Sequence, residues 1–340
     1  MIGVGVIGYG YWGPNLVRNL AENTSIRVIA VSDLRAERLE IVKRRFPTID
    51  TQSNALDVID DPRVDAVVIA TPLATHYELA KRALEAGKHV LVSKPMVGSL
   101  DQGRELVAEA ARRRLTLMVD HTFVYTPAIR LIQKLTADGT LGRIYYYDSV
   151  RVNLGLFQHD VNVVWDLAVH DLSIMDYVLP QKPLAVAATG VRHIAGEPEN
   201  IAYLTVYYPN DLISHVHVNW LAPVKVRLTL LGGSNRMIVY DDLQVVEKVK
   251  VYDRGVTVTD SSEQMYEMLV SYRTGDMWSP RLDGTEALHS EIQHFVQCIE
   301  SGEEPITGGR AGVRTVAVLE AASRSMANRG AAVELAEESW

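Results

Sequence analysis

A short apolar run, residues 2–7, leads straight into Gly8-Tyr-Gly10-Tyr-Trp-Gly13, and a helical pattern follows at once. Pro14 stands where a first helical turn tolerates it, and Leu16, Val17 and Leu20 recur at helical spacing. Strand, glycine loop and helix in that order constrain the fold more than anything else in the chain. Gly8 permits the tight turn, Gly10 lets the backbone approach a pyrophosphate, and Gly13 lets helix and strand pack closely. Tyr11 and Trp12 lie in the same loop. The helix N-terminus then offers N–H groups and a positive dipole end to phosphates. Asp33 closes the next apolar run, residues 26–32, about twenty residues after Gly13. An acid there bonds both ribose hydroxyls and repels a 2′-phosphate, so the reading is NAD, with NADP left open by Arg35 and Arg38. Asp33 also suits the N-cap of a helix over residues 36–45, and the two roles are compatible.

The 340 residues suffice for two domains and a large core. Hydrophobic content of 47% with 22% charged residues is that of a globular protein. A net charge of −8, with Arg112-Arg113-Arg114 as the one basic cluster, argues against nucleic acid and anionic membranes as partners. The single cysteine, Cys298, precludes an intrachain disulfide and fits a reducing compartment. Neither a signal peptide nor a stretch of membrane-spanning length is read, so the expected location is cytoplasmic. The ten histidines show no metal-ligand spacing, and no metal is expected.

Up to residue 121 short apolar runs alternate with helical patterns. The runs are 2–7, 26–32, 66–70, 89–92 and 116–119; the helices are 16–22, 36–45, 76–86 and 100–114. Such alternation builds βαβ units and a doubly wound parallel sheet, a Rossmann domain over 1–121. Residues 122–340 read differently. Helices are expected at 127–137 and 166–178, and strands at 143–152, 186–191, 202–208, 213–220, 225–231, 237–240 and 245–252. Two last helices, 287–300 and 312–328, follow. This is an α+β domain with a large, open, mostly antiparallel sheet. Val216, Val218 and Trp220 alternate along one strand, and a sheet with two apolar faces needs cover on both. Helices supply one cover, and a homodimer or homotetramer supplies the other.

Ligands of open α/β sheets bind outside the carboxyl ends of the strands. Thr71-Pro72, with His76 opening the next helix, and Ser93-Lys94-Pro95 fall there. A lysine at such a mouth hydrogen-bonds a substrate hydroxyl and steadies a developing alkoxide; the plainer reading is a solvated surface lysine. In the second domain Asp166 and His170 are four apart and share one helical face. Imidazole is a standard general base for a hydroxyl proton, and a carboxylate fixes its tautomer, although an ordinary polar pair looks the same in sequence. Tyr125 is the next proton acceptor to consider. The stretch 153–162, beginning at Asn153, is rich in hydrogen-bonding groups and lines either a sugar pocket or a subunit contact.

Together these motifs resemble the Gfo/Idh/MocA family of NAD(P)-dependent oxidoreductases over essentially the whole chain. The resemblance rests on the glycine loop, Ala70-Thr-Pro72 with His76, Ala83-Leu-Glu-Ala-Gly-Lys-His-Val90, Lys94-Pro95, Leu141-Gly-Arg143, Asp166-x-x-x-His170, and Glu291-Ile-Gln-His-Phe295 through Ile299-Glu-Ser-Gly302. It implies hydride transfer between nicotinamide and a sugar ring carbon. The likeness is strongest to members acting on nucleotide-linked hexoses as 3-dehydrogenases or 3-ketoreductases. By the resemblance Lys94 is the catalytic lysine, His170 the acid/base, and Asp166 its partner and a substrate ligand. Gly8, Gly10, Tyr11, Trp12, Gly13, Asp33, Thr71, Pro72, His76, Ser93 and Lys94 fall to the cofactor. Lys94, Tyr125, Asn153, Asp166 and His170 fall to the sugar. The family also includes non-catalytic cofactor-binding sensors, the alternative reading. One departure stands out: the family's usual Glu-Lys-Pro reads Ser93-Lys94-Pro95, so a carboxylate beside the lysine is gone.

Overall fold

The computed structural model describes residues 1–155, 159–258 and 270–336. The chain forms two compact units, Met1–Thr126 with Thr285–Ala317, and Pro127–Gly284 with the stretch that begins at Val318.

The N-terminal stretch runs β1 (Ile2–Ile7), α1 (Gly13–Glu22), β2 (Ile26–Ser32), α2 (Ala36–Arg45), β3 (Asp50–Gln52), α3 (Ala55–Ile59), β4 (Ala66–Ile69), α4 (His76–Glu85), β5 (His89–Ser93), α5 (Leu100–Arg113) and β6 (Leu117–Asp120). The six strands form one parallel sheet in the order β3-β2-β1-β4-β5-β6. Burial on both faces explains why β1, β4 and the first three residues of β6 are apolar without alternation. The strand order reverses between β1 and β4, which places the ligand crevice at the carboxyl ends, where Gly8, Thr71, Lys94 and Asp120 lie.

The second stretch contains α6 (Pro127–Ala137), β7 (Ile144–Leu154), a π-helical turn over Val164–Ala168, and α7 (Val169–Val178). Then come β8 (Ala185–Val191), β9 (Ile201–Tyr207), β10 (Ile213–Asn219), β11 (Leu221–Gly233), β12 (Met237–Asp241), β13 (Val249–Val258) and β14 (Val270–Trp278). The chain closes with α8 (Ala287–Ser301), α9 (Gly309–Ala327) and β15 (Val333–Glu334). The nine strands order as β14-β13-β12-β11-β7-β10-β9-β8-β15. All neighbours pair antiparallel except β7 and β10.

Stretch 285–317 clusters with the N-terminal unit, so that unit is discontinuous in sequence; the sequence reading puts the boundary near residue 121 with the last helices free to pack back toward the first domain. The edge of β6 explains the return. Val119 N–H donates to Thr307 O at 2.8 Å, and the Thr307 hydroxyl donates to Val119 O at 2.8 Å, so an edge strand gains partners.

On β10, Ser214, Val216 and Val218 turn inward and are buried, as is Trp220 just after the strand. The inner face is closed within the unit: Trp165 Nε1 donates to Ser323 Oγ at 2.9 Å, and Ala188 N–H donates to Ser325 Oγ at 2.8 Å. Ile213, His215 and His217 alternate onto the other face, beside Tyr203 and Tyr207 of β9. No helix of the described residues is long and apolar enough to cross a membrane.

Candidate active site

The glycine loop follows from local sterics. Gly8 has φ of +98°, and a Cβ there would stand 2.4 Å from Ala70 O. At Gly13 a Cβ would stand 2.5 Å from Gly8 O. Gly10 is different: a Cβ there would meet only Arg35 Nη2, at 3.6 Å. The protein itself therefore leaves a cradle at Gly10. The N-terminus of α1 carries no side-chain cap, so its first N–H groups suit an anion.

Asp33 is fastened to this loop. Its Oδ2 accepts Tyr9 N–H at 2.8 Å, and its Oδ1 accepts Arg35 N–H at 2.9 Å and Arg35 Nε at 3.1 Å. Burial pushes the carboxyl up, but the Arg35 guanidinium and the two backbone donors outweigh it and hold Asp33 below the usual carboxylate range. The carboxylate is thus ionised and aimed at the loop. Arg35, the residue suited to a 2′-phosphate, is engaged with it. An uncapped helix start, an open glycine and a fixed acid fit a dinucleotide.

His76 is 1% exposed; Nδ1 lies 2.9 Å from Pro95 O and Nε2 2.8 Å from Thr71 O. Its ring is a clip between the two segments that follow β4 and β5. Thr71 Oγ1 accepts Thr75 Oγ1 at 2.7 Å, and Pro72 O accepts the same hydroxyl at 2.8 Å, which shapes the loop below. Lys94 is half-buried just past β5, its peptide to Pro95 is cis, and its charge acts on His76 and on Asp120.

Asp120 is a residue the sequence analysis passed over. It ends β6, is buried, and is the register partner of Ser93. Its Oδ2 accepts Trp12 Nε1 at 2.6 Å and its Oδ1 accepts Thr122 Oγ1 at 2.5 Å. Trp12 is thereby tied to the end of β6, while Tyr11 is 89% exposed. Fully buried Glu291 of α8 lies against Asp120. Burial and the neighbouring Asp120 push Glu291 well above the carboxylate range. The only signal available in sequence was an acid ending an apolar run.

Tyr125 is placed in the core, 1% exposed, with its hydroxyl 2.9 Å from Thr307 Oγ1. That partner is 182 residues away along the chain.

In the second unit, Asp166 lies in the π turn and His170 on the first turn of α7. π turns of this kind recur at functional sites. Asp166 Oδ2 accepts the indole N–H of buried Trp220 at 3.0 Å. A Cβ on Gly155 would meet that indole at 2.9 Å and Asn153 Nδ2 at 3.2 Å, so Asn153, Asp166 and Trp220 gather in one place. In sequence Trp220 reads as a sheet residue. Asp171, next after His170, forms a buried ion pair with Arg151 of β7 (Nε to Oδ2, 2.7 Å) that pins the start of α7. Of the stretch 153–162, Leu156, Phe157 and Gln158 lie outside the described residues. Among the described residues no group of three or more His, Cys, Asp or Glu side chains gathers as metal ligands.

Comparison with known proteins converges on one family. Residues 2–121 match its oxidoreductase domain, described as an NAD-binding Rossmann fold, and residues 129–239 match its C-terminal domain. UDP-N-acetylglucosamine 3-dehydrogenase of Acidithiobacillus ferrooxidans is 26% identical over 92% of this chain and 93% of its own length. Its solved structure has a TM-score of 0.78 at 25% identity, covering 96% of this chain and 99% of that one. The uncharacterized oxidoreductase YdgJ of Escherichia coli is 39% identical over 44% of this chain, a match spanning 42% of its own length. The structure of GenD2 from gentamicin A biosynthesis, in complex with NAD, has a TM-score of 0.82 at 24% identity, covering 98% of this chain and 96% of that one. The chain belongs to the Gfo/Idh/MocA family of oxidoreductases, with an NAD-binding Rossmann domain followed by that family's C-terminal domain.

Proposed function

We propose that the chain is an NAD-dependent dehydrogenase or ketoreductase of a sugar or polyol, and that its substrate is a nucleotide-linked hexose. The observation that carries the substrate class is the likeness, along nearly the full length of both chains, to an enzyme named for UDP-N-acetylglucosamine. Gly8, Gly10, Gly13, Trp12 and Asp33 hold the cofactor, with Thr71, Pro72 and Ser93 at the neighbouring strand ends. The nicotinamide, when bound, accepts or returns the hydride. The protein's share is the hydroxyl proton. His170 takes it, Asp166 orients the imidazole and a sugar hydroxyl, and Lys94 donates a hydrogen bond to the reacting oxygen. Trp220 keeps Asp166 in one rotamer by occupying Oδ2.

A screen of UDP-hexoses, free hexoses and inositols with NAD and NADP, followed by reduced-cofactor absorbance, tests this reading. A nucleotide sugar should be turned over fastest. NAD should bind at least tenfold tighter than NADP, about 1.4 kcal/mol, because ionised Asp33 stands where a 2′-phosphate would come. Preference for free sugars refutes the substrate class, and preference for NADP refutes the role of Asp33. NAD binding without turnover of any of them supports the sensor reading.

The second unit supports assembly as well. Tyr203, Tyr207 and Ile213 are each about two-fifths exposed on the outer face of the sheet, and Tyr203 stacks on His217 at 4.4 Å. We expect a homodimer or homotetramer through this face, since a stable interface needs roughly 800 Å² per partner and few broad apolar sheets lie bare. Sedimentation at micromolar concentration should show it. Tyr203→Glu with Ile213→Glu should shift the protein to monomer, and a monomeric parent protein overturns the expectation.

A further inference from the structure

Position 93 carries no carboxylate, but the next strand places one, Asp120, directly beside it. Ser93 and Asp120 are register partners of a parallel pair, so their side chains leave the sheet on the same side. The Ser93 hydroxyl is buried without a hydrogen-bond partner among the described residues. Asp120 is 4% exposed and held by two donors, one of them the Trp12 indole of the glycine loop. The cation acting on it is Lys94, the residue after its register partner. Glu291, wholly buried on α8, completes the cluster against Asp120, Thr122 and the His121 backbone.

Two adjacent buried carboxyls do not both ionise. Burial raises both. Asp120 has the indole, the Thr122 hydroxyl and Lys94 to favour its charged form, whereas Asp120 itself disfavours charge on Glu291. Charge is therefore favoured on Asp120 over Glu291. The cluster carries one negative charge beside one ammonium.

We propose that Asp120 is the positioning residue for Lys94: its carboxylate, held by the Trp12 indole and the Thr122 hydroxyl with Glu291 packed against it, sets where the ammonium stands at the nicotinamide end of the sheet. This takes over the place that a carboxylate at position 93 would hold. It rests on the reading of Lys94 as a catalytic residue, so one arm of the test uses no substrate.

In that arm Lys94 is acetylated with limiting acetic anhydride in the full-length protein, and the peptide carrying it is quantified by mass spectrometry. A carboxylate beside an amine favours the charged, unreactive form. Asp120→Asn should label Lys94 several-fold faster than the parent protein, and Glu291→Gln, which copies a neutral acid, should change labelling much less. Equal labelling in parent and Asp120→Asn overturns the proposal whatever the substrate proves to be. In the activity arm, Asp120→Asn should lose at least tenfold in kcat with KM for NAD changed less. Ser93→Glu should lower kcat in the parent background, where it adds a third carboxyl to a filled cluster. In Asp120→Asn it should raise kcat, because it returns the missing charge. The same direction of effect in both backgrounds overturns the proposal. If Asp120→Asn fails to fold, Asp120→Ser is labelled in its place, with the same expected and overturning results. Absence of turnover in the parent protein, with faster labelling in Asp120→Asn, refutes the enzyme reading and leaves the placement of Lys94 intact.

Discussion

His170→Ala is expected to lower kcat by roughly 10²–10⁴-fold, the usual range for loss of a positioned acid/base. Oxidation of a secondary alcohol requires the hydroxyl proton to leave as the hydride does, and the contacts around His170 hold its stretch of chain in place. Arg151 and Asp171 pin the residue after it through a buried ion pair. The His170 carbonyl accepts the Ser173 hydroxyl at 2.8 Å. Asp166, one turn earlier, is fixed by Trp220. NAD binding should survive the substitution, because the glycine loop and Asp33 belong to the other unit. Steady-state kinetics on the preferred nucleotide sugar, with NAD affinity measured separately, checks both halves. A variant with near-normal kcat removes His170 from the mechanism. Tyr125 does not inherit the role readily, since its hydroxyl is engaged with Thr307 in the core.

Much of this was legible in the sequence because the Rossmann half speaks in local signals. β1, β2 and α2 have the bounds that periodicity assigned, and so does α6 in the second unit. The glycine spacing named its own turn, and the structure supplies the steric reason at Gly8 and Gly13. What stayed hidden was non-local or short. β3 is three residues, Asp-Thr-Gln, with no apolar run to announce it. The expected strand from residue 245 begins at Val249, because Val245 and Val246 lie in an exposed connection where apolarity is no guide. The helix expected from Asp166 opens instead as a π turn, a change of register that 3.6-residue periodicity does not encode. At the candidate site, Lys94 and His170 were legible as candidates from strand-end position and helical spacing. Asp120 and Glu291 were not, because 171 positions of chain separate two acids whose meaning lies only in their contact. The hydroxyl partner of Tyr125 likewise lies far along the chain.

Lys94→Ala is expected to be as damaging as the histidine variant, and the comparison between the two carries more than either alone. A lysine that only neutralises a surface would leave kcat near normal. One that donates to the developing alkoxide acts in the transition state, so kcat and kcat/KM should fall together, by about 10²-fold or more. Lys94 follows β5 directly, next to the clip that His76 makes between Thr71 and Pro95, and its charge bears on Asp120. Lys94→Arg keeps the charge but changes its shape and reach, and it should recover little. The decisive measurement is the double variant. If Lys94 and His170 serve one proton transfer, removing the second partner after the first should lower the rate by much less than its own single effect. The losses would then fall short of their product. Fully multiplicative losses would mean two independent contributions, and the histidine alone would then be left to account for the movement of the proton.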